Sequence, residues 1–199
     1  MKAYRYFLLS GLIMIFDQIT KILVVKFIPL HTSAWSFLGD FFRLIHVRNL
    51  GMVFSFGSTF SPGLKLITSI ILPMLMLIAL GLYIVRSKEL TSIQRWILAA
   101  IFGGGLGNQI DRIFRPDGVV DFLDFKFYGL FGLERWPTFN IADSALVVSS
   151  ILLILLHLID TIRFKRGSRH IAALAASDNE LNELTDKPAD NVINFPTKE

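Results

Sequence analysis

The length, composition and charge of this chain favour a membrane protein and exclude several kinds of site. Of its 199 residues, 53% are hydrophobic and 18% are charged, against about 25% charged in ordinary soluble domains. The absence of cysteine excludes disulfides, thiolate nucleophiles and cysteine-ligated zinc. The net charge of +4 does not indicate nucleic-acid binding, because the basic residues flank apolar segments.

Four apolar segments approach the roughly 20 residues that a helix needs to cross a bilayer. They comprise residues 7–28, 66–85, 94–110 and 139–159. The first contains Asp17 and Lys21 and is longer than the apolar core of a cleaved signal peptide. The sequence therefore predicts a mainly α membrane protein with four transmembrane helices.

The two long connections between these segments, residues 29–65 and 111–138, contain strand-like sequence. Residues 41–48 and 119–128 are rich in aromatic and β-branched side chains, which is typical of strands. We expect them to form a small β-sheet. Their apolar side chains would contact lipid headgroups or a lipidated ligand rather than bulk water.

The distribution of Lys and Arg predicts the topology, since short cytoplasmic segments carry an excess of positive charge. Three short segments on one side hold Lys2, Arg5, Arg86, Lys88, Arg95, Arg163, Lys165, Arg166 and Arg169. The two long connections hold Arg43, Arg48, Lys65, Arg112, Arg115, Lys126 and Arg135. We therefore expect both termini in the cytoplasm and the small β-sheet in the non-cytoplasmic loops.

The end of the chain differs in composition from the rest. Residues 167–199 are polar and contain several acidic side chains, so they cannot bury a core of their own. The sequence predicts a four-helix membrane domain over residues 1–166, followed by a polar, flexible cytoplasmic tail.

Polar side chains converge at one end of the predicted helix bundle. Ionisable groups in or beside spanning segments are costly and are therefore functional candidates. The outer end of the third helix, the start of the fourth and the two outer connections supply Asn108, Asp111, Arg112, Asn140, Asp143, Asn49 and Asp121. The cytoplasmic side has no comparable cluster, so the sequence predicts a site near the outer face.

Two carboxylates in this cluster, Asp121 and Asp143, suggest acid–base chemistry. Carboxylates held close together share a proton, and the pair can activate water while it polarises a carbonyl. Alternatives stay open at this point. Asp143 could serve only as an acidic residue at a helix N-terminus, Asp121 could be a solvated loop residue, and Asp124 could be the active carboxylate instead.

Simpler structural roles are expected for other charged residues. Asp111 is next to Arg112 and suggests a structural ion pair rather than a catalyst. Asp17 and Lys21 are one helical turn apart and could pair within the first helix.

Other sequence features favour packing over chemistry. Four small residues, Gly103–Gly105 and Gly107, indicate close helix packing. A metalloprotease is disfavoured because no His-Glu-x-x-His motif occurs and the histidines are scattered at His31, His46, His157 and His170. Ser55 and Ser144 have no evident base that would make them nucleophiles.

Two other functions compete with a protease. Carboxylates of a proton-coupled transporter would form a relay across the membrane, but the polar residues here lie at one end only. A non-catalytic assembly or lipid-binding protein would tolerate the loss of either aspartate.

Five motifs, in this order, resemble those of one family. They are Asp17-Gln18-Ile19-Thr20-Lys21, Asn49-Leu50-Gly51-Met52-Val53-Phe54-Ser55, Gly104-Gly105-Leu106-Gly107-Asn108-Gln109-Ile110-Asp111-Arg112, Val119-Val120-Asp121-Phe122 and Phe139-Asn140-Ile141-Ala142-Asp143-Ser144. Over about residues 7–160 the chain resembles lipoprotein signal peptidase (signal peptidase II), the aspartyl protease family of the bacterial inner membrane. Met52 and Val53 depart from it, since the family often has two small residues there, and the tail is longer than the family core requires.

The resemblance implies specific roles. The catalytic pair would be Asp121 and Asp143, with Asp17 supporting the site. The residues that line the site and hold the substrate backbone would be Asn49, Asn108, Arg112 and Asn140. The substrate would be a prolipoprotein whose lipobox cysteine carries a diacylglyceryl group, cut just before that cysteine. The family requires no metal or other cofactor, contacts membrane lipids and is typically inhibited by the cyclic peptide globomycin.

Overall fold

The computed structural model describes residues 3–51 and 59–185, with side chains for residues 4–51 and 59–168. The motif residues 52–55 lie outside the described residues. The main helices are α1 (Tyr6–Phe27), α2 (Pro62–Arg86), α3 (Ser92–Phe114) and α4 (Ile141–Thr185). The strands are β1 (Ser33–Phe37), β2 (Phe42–Asn49) and β3 (Val119–Phe125).

All four predicted apolar segments are helical, and three of the helices are long and apolar enough to cross a membrane. These three are Tyr6–Phe27, Pro62–Arg86 and Ile141–Ser168. Only 22%, 11% and 6% of their most apolar stretches are buried within the protein, so most of their apolar surface needs lipid to cover it. The molecule is therefore a membrane protein.

Helix α3 occupies the centre of the helical assembly and packs against both α1 and α2. A capping box starts it, in which the Thr91 hydroxyl accepts from the Gln94 backbone N–H and the Gln94 side chain accepts from the Thr91 N–H. Its buried positions include glycines, alanines and polar residues. A helix enclosed by its neighbours needs less apolar surface than one that faces lipid, which explains why α3 is less hydrophobic than the three spans Tyr6–Phe27, Pro62–Arg86 and Ile141–Ser168.

Glycines on α3 permit this close packing, as the sequence predicted. A Cβ atom at Gly104 would lie 2.6 Å from the Ala142 carbonyl oxygen, and one at Gly107 would lie 2.7 Å from Asp17 Oδ2. Contacts this short are forbidden, so larger residues would push α1 and the start of α4 away from α3.

Helix α2 is irregular in its first half. Residues Leu66–Ile71 form a π-helical turn between two α-helical stretches, Pro62–Lys65 and Leu72–Arg86. The Gln109 side chain on α3 donates to the Ser69 carbonyl oxygen at 3.0 Å, so α3 satisfies a backbone group inside the irregular turn.

The sheet is three-stranded and antiparallel, in the order β1-β2-β3. Both predicted strands are confirmed as β2 and β3, whereas β1 was not predicted. A bulge in β2 between Leu44 and Val47 shifts its register against β3. Beneath the sheet, Val24 and Ile28 of α1 pack with Val120 and Phe122 of β3 in an apolar cluster, which fixes β3 over the end of α1.

The chain divides into two compact units, Met1–Leu153 and Ile154–Glu199. The first contains the sheet, α1, α2, α3 and the start of α4. In the second, the described part is the remainder of α4, which is helical through Thr185 and exposes apolar side chains such as Phe164. The boundary expected near residue 167 and the flexibility of residues 167–199 stay predictions.

Candidate active site

The start of α4 places Asp143 through a local capping interaction. Asn140 immediately precedes the helix, and its Oδ1 accepts from the Asp143 backbone N–H at 3.0 Å. In return, Asp143 Oδ2 accepts from the Asn140 backbone N–H at 3.2 Å. This reciprocal arrangement is that of a capping box, which satisfies helix N–H groups that otherwise lack partners. A purely local sequence pattern therefore fixes one carboxylate in the first turn.

Strand β3 brings Asp121 to the same place. The segment before α4 is tied to β3, because Phe139 donates its N–H to the Leu123 carbonyl oxygen and accepts from Phe122 and Leu123. Asn140 Nδ2 then donates to Asp121 Oδ1 at 2.7 Å. The opposite oxygen of Asp121 accepts from Asn49 Nδ2 at 3.2 Å. Two asparagine amides thus hold the Asp121 carboxylate.

A third asparagine, Asn108 on α3, completes the connection between the two carboxylates, because it contacts Asp143 directly and Asp121 through Asn140. Its Nδ2 donates to Asp143 Oδ1 at 2.7 Å, and its Oδ1 accepts from Asn140 Nδ2 at 3.1 Å. Asp121 is almost fully buried, with 2% of its surface exposed, while Asp143 is only partly buried. The Asp143 side of the pair is therefore the side that water can reach.

The electrostatics of Asp121 suit a shared proton. Burial raises the pKa of Asp121 most strongly, and the negative charge of Asp143 raises it further. Hydrogen bonds from Asn49 and Asn140 oppose this shift, and the resulting pKa is about 7. Near neutral pH this carboxyl exchanges a proton readily, as a general acid or base must.

Arg112 lies on the same side of α3 as Asn108, one turn further along the helix. Its positive charge interacts with Asp143 and Asp121. Its Nε is buried and has no hydrogen-bond partner among residues 4–51 and 59–168, whose side chains the structure describes. A buried guanidinium donor of this kind can bind a carbonyl oxygen that enters the site.

A buried ion network lies beside the carboxylate pair. Lys21 Nζ contacts Asp17 Oδ2 at 2.8 Å and Asp111 Oδ2 at 3.1 Å, and all three side chains are fully buried. Asp17 Oδ1 accepts from the Ala142 backbone N–H at 2.9 Å. Asp111 Oδ2 accepts from the Val120 N–H at 3.1 Å. The network therefore connects α1 and α3 with β3 and α4.

Asp124 has a different environment, although it too is 2% exposed. Arg43 Nη2 contacts Asp124 Oδ2 at 2.7 Å, and Arg135 Nε donates to both carboxylate oxygens at 2.8 and 2.9 Å. Two guanidinium groups occupy this carboxylate, whereas Asp121 has amides as partners.

Of the residues predicted from sequence, five share one hydrogen-bond network: Asn49, Asn108, Asp121, Asn140 and Asp143. Asp17 contacts the start of α4 just below it. Asp111 does form structural ion pairs, as predicted, but the predicted partner, Arg112, is wrong. In the described part of the chain Asp111 pairs with Lys21 and Arg115, because adjacent residues on a helix do not face each other.

Sequence reasoning missed three contributors to this region. Lys21 was considered only as a partner of Asp17, and Arg115 was not considered as a partner of Asp111, although its i,i+4 spacing was a visible signal. Gln18, whose Nε2 donates to Asp111 Oδ1 and to the Gly107 carbonyl oxygen at 3.0 Å, gave no signal.

A membrane protein in which asparagine amides link a buried carboxylate, Asp121, to a partly buried one, Asp143, belongs by its chemistry with the aspartic hydrolases. The family model described as signal peptidase (SPase) II matches residues 9–159. The chain therefore belongs to the signal peptidase II family and is an aspartic-type protease.

Individual relatives agree with this assignment. The chain is 50% identical over 149 residues to the lipoprotein signal peptidase of Borreliella afzelii (strain PKo), covering 75% of this chain and 86% of that protein. It is 48% identical over 160 residues to that of Borrelia hermsii (strain HS1 / DAH), covering 78% and 93%. A solved bacterial membrane enzyme, obtained by the in meso method, superposes with a TM-score of 0.66 at 30% identity, covering 79% of this chain and 89% of the other.

Proposed function

We propose that this chain removes signal peptides from prolipoproteins whose lipobox cysteine carries a diacylglyceryl group, and that it cuts just before that cysteine. The relatives named lipoprotein signal peptidases support the substrate class. The amide-bridged carboxylates Asp121 and Asp143 are the observation that carries the proposed chemistry.

In the proposed mechanism, Asp121 and Asp143 share one proton. The ionised carboxylate removes a proton from a water molecule, whose oxygen attacks the carbonyl carbon of the scissile bond. The protonated carboxyl donates to the carbonyl oxygen as it becomes negatively charged. Collapse of the tetrahedral intermediate breaks the C–N bond, with the proton delivered to the leaving nitrogen. The products are a signal peptide with a free carboxylate and a lipidated cysteine with a free amino group.

The remaining polar residues have supporting roles in this proposal. Asn49 and Asn140 orient Asp121, and Asn108 orients Asp143, through the hydrogen bonds described above. The unpartnered Nε of Arg112 is available to a backbone carbonyl of the substrate. Asp17 supports the start of α4 through Ala142.

We further propose that α3 also crosses the membrane, in addition to the three spans described above, which gives four membrane spans. Both termini would be cytoplasmic, with the site near the non-cytoplasmic face of the bacterial inner membrane, where lipids surround the apolar helices. Residues 1–166 would form the peptidase domain and 167–199 a cytoplasmic tail. The Lys and Arg distribution supports this orientation.

Cysteine accessibility in intact cells tests the topology, since the chain has no cysteine of its own. A single cysteine at position 60 should react with a membrane-impermeant reagent, and one at position 170 should react only after permeabilisation. The reverse pattern would invert the proposed orientation.

The activity test compares two substrates with purified protein in detergent. A diacylglyceryl-modified prolipoprotein should lose the mass of its signal peptide, and globomycin should block the loss. The unmodified prolipoprotein should remain intact if the lipid is required. Cleavage of neither substrate would refute the proposal, and cleavage of both at equal rates would remove the lipid requirement. The Asp121→Asn protein serves as the inactive control.

A further inference from the structure

The buried side chain of Lys21 has a role that its ion pairs alone do not explain. The side chain is 0% exposed and lies among three acceptors: Asp17 Oδ2 at 2.8 Å, Asp111 Oδ2 at 3.1 Å and Asn108 Oδ1 at 3.1 Å. A lysine ammonium has three N–H donors. Each donor therefore has one acceptor, and one of the three is an amide oxygen rather than a carboxylate.

The charges around Lys21 are already balanced without Asn108. Lys21 and Arg115 supply two positive charges, and Asp17 and Asp111 supply two negative ones. Buried ion pairs seldom add net stability, because the loss of solvation offsets their attraction. A fully buried lysine that also contacts a neutral amide one step from Asp143 is therefore positioned to act on the site.

The contact with Lys21 determines which way the Asn108 amide points. The ammonium can only donate, so the atom facing it must be the oxygen. The opposite end of the amide, the NH₂ group, must then face Asp143, to which it donates at 2.7 Å. A reversed amide would place two donors against each other and an oxygen against a carboxylate.

Asn140 also donates to Asn108 Oδ1 at 3.1 Å, but the bond from the Lys21 ammonium is charge-assisted and therefore stronger. The Asn140 NH₂ group has two hydrogens for three acceptors: Asp121 Oδ1 at 2.7 Å, Asn108 Oδ1 at 3.1 Å and the Val120 carbonyl oxygen at 3.4 Å. The shortest of these bonds goes to Asp121. The ammonium of Lys21 is therefore a stronger donor to Asn108 than the amide of Asn140.

We propose that Lys21 is a positioning residue for peptide cleavage: its ammonium fixes the Asn108 amide so that the amide N–H donates to Asp143. Lys21 contacts neither the substrate nor the reacting atoms and acts through Asn108. This inference rests on the proposed function for its effect on cleavage. The orientation of Asn108 is a property of the protein without substrate.

The test needs a variant that removes the donor without leaving an unbalanced buried charge. Lys21→Met alone leaves Asp17 and Asp111 short of a partner and can fail to fold. In the double variant Lys21→Met/Asp17→Asn one positive and one negative charge disappear together, and the Asn oxygen at position 17 can still accept from Ala142. The matched references are Asp17→Asn alone and Lys26→Met, because Lys26 is an exposed lysine on the same helix.

Cleavage of the lipidated substrate gives the first readout. Relative to Asp17→Asn, the double variant should lose about ten- to a hundredfold in kcat, since a hydrogen bond to a charged group is lost or weakened. KM should change less than about threefold because Lys21 does not touch the substrate. In an Asn108→Ala background the same two changes should lower kcat by less than about threefold, because residues that act through one another are not additive. Two results would overturn the proposal. One is a kcat of the double variant equal to that of Asp17→Asn. The other is a loss of kcat in the Asn108→Ala background as large as in the protein that keeps Asn108.

The second readout is independent of activity. In protein labelled with ¹⁵N-asparagine, the Asn108 side-chain NH₂ signal is identified by its absence in Asn108→Ala. It should exchange slowly with solvent in the wild type, Asp17→Asn and Lys26→Met, and faster in the double variant. An unchanged signal in the double variant would show that Lys21 does not orient Asn108. An inactive wild type would refute the proposed function, while this signal would still decide the role of Lys21.

Discussion

Strand β3 carries two aspartates that are equally buried but differ in every partner. Asp121 and Asp124 are each 2% exposed. Asp121 accepts hydrogen bonds from the amides of Asn49 and Asn140, whereas Asp124 is clamped between the guanidinium groups of Arg43 and Arg135. The difference follows from the alternation of a strand, which turns residues three apart to opposite faces.

The comparison shows that two equally buried carboxylates on one strand can have very different electrostatic surroundings. Amides give Asp121 hydrogen bonds but no positive charge, and the nearby negative charge of Asp143 favours proton binding, so the pKa of Asp121 rises to about 7. Asp124 instead contacts two guanidinium groups, whose donors occupy its oxygen lone pairs. We infer that Asp121 is suited to proton transfer and Asp124 to holding the sheet together.

The largest expected effect is the loss of cleavage activity when Asp121 or its partner Asp143 is changed, which distinguishes Asp121 from Asp124. Asp121→Asn and Asp143→Asn should each lower the cleavage rate by about a thousandfold or more, because the proposed mechanism needs the shared proton and the general base. The double variant should be little slower than either single variant, since the pair acts as a unit. The initial cleavage rate on a lipidated substrate is the measurement.

Asp124→Asn is the matched control for that experiment, because it makes the same change on the same strand. It should keep most of its activity when measured on the folded fraction. An inactive Asp124→Asn beside an active Asp121→Asn would transfer the catalytic role to Asp124 and reverse the comparison.

The next effect concerns stability and pH. The pKa of Asp121 is about 7 in the folded protein and 3.8 as a model value for the unfolded chain. Between about pH 4 and pH 7 the folded state keeps a proton that the unfolded state has lost, so this group lowers the free energy of unfolding as pH rises through that window. Asp121→Asn should therefore gain stability over wild type between pH 5 and pH 8, by on the order of 2–4 kcal/mol. Thermal unfolding in detergent at pH 5 and pH 8 measures the difference in stability between Asp121→Asn and wild type. A difference that is the same at both pH values would contradict the raised pKa of Asp121.

A smaller effect is expected when the clamp around Asp124 is broken. Asp124→Asn leaves Arg43 and Arg135 without their shared carboxylate and should lower the free energy of unfolding by about 1–3 kcal/mol. The value lies below that of a fully buried pair, because Arg43 is 31% and Arg135 20% exposed. Chemical denaturation at pH 8 should rank Asp124→Asn below both wild type and Asp121→Asn. An Asp124→Asn protein as stable as wild type would show that the clamp is not structural.

The smallest effect tests the guanidinium of Arg112, whose positive charge interacts with Asp143 and Asp121. Arg112→Lys keeps the positive charge but removes the planar fork of donors, so kcat/KM should fall by about tenfold. Arg163→Lys, an exposed change on α4, is the control. Full activity in Arg112→Lys would mean that charge alone matters at this position.

Much of this arrangement is readable from local sequence. The apolar segments became the four helices, because length and hydrophobicity are local properties. The ends of three helices lie within a few residues of the prediction, whereas α4 continues to Thr185, well beyond the predicted end at residue 159. Asn140 and Asp143 are three residues apart at a helix start, a spacing that predicts mutual contact. Strand alternation places Asp121 and Asp124, three residues apart, on opposite faces, although the sequence left open which of the two is the active carboxylate. The short strand β1, with serines on either side of Trp35, gave too weak a pattern to be predicted.

The sequence by itself thus determined the membrane class, the helices, two of the three strands and the set of polar residues from which the site is built. Only the tertiary structure decided how those residues are paired. Lys21 contacts Asn108, 87 positions away, and Arg43 contacts Asp124, 81 positions away. The periodic pattern of a sequence predicts which face of a helix or strand a residue occupies. It does not predict which distant helix or strand packs against that face. The partner charges that distinguish Asp121 from Asp124 therefore emerge only when α1, α3, β3 and α4 pack together.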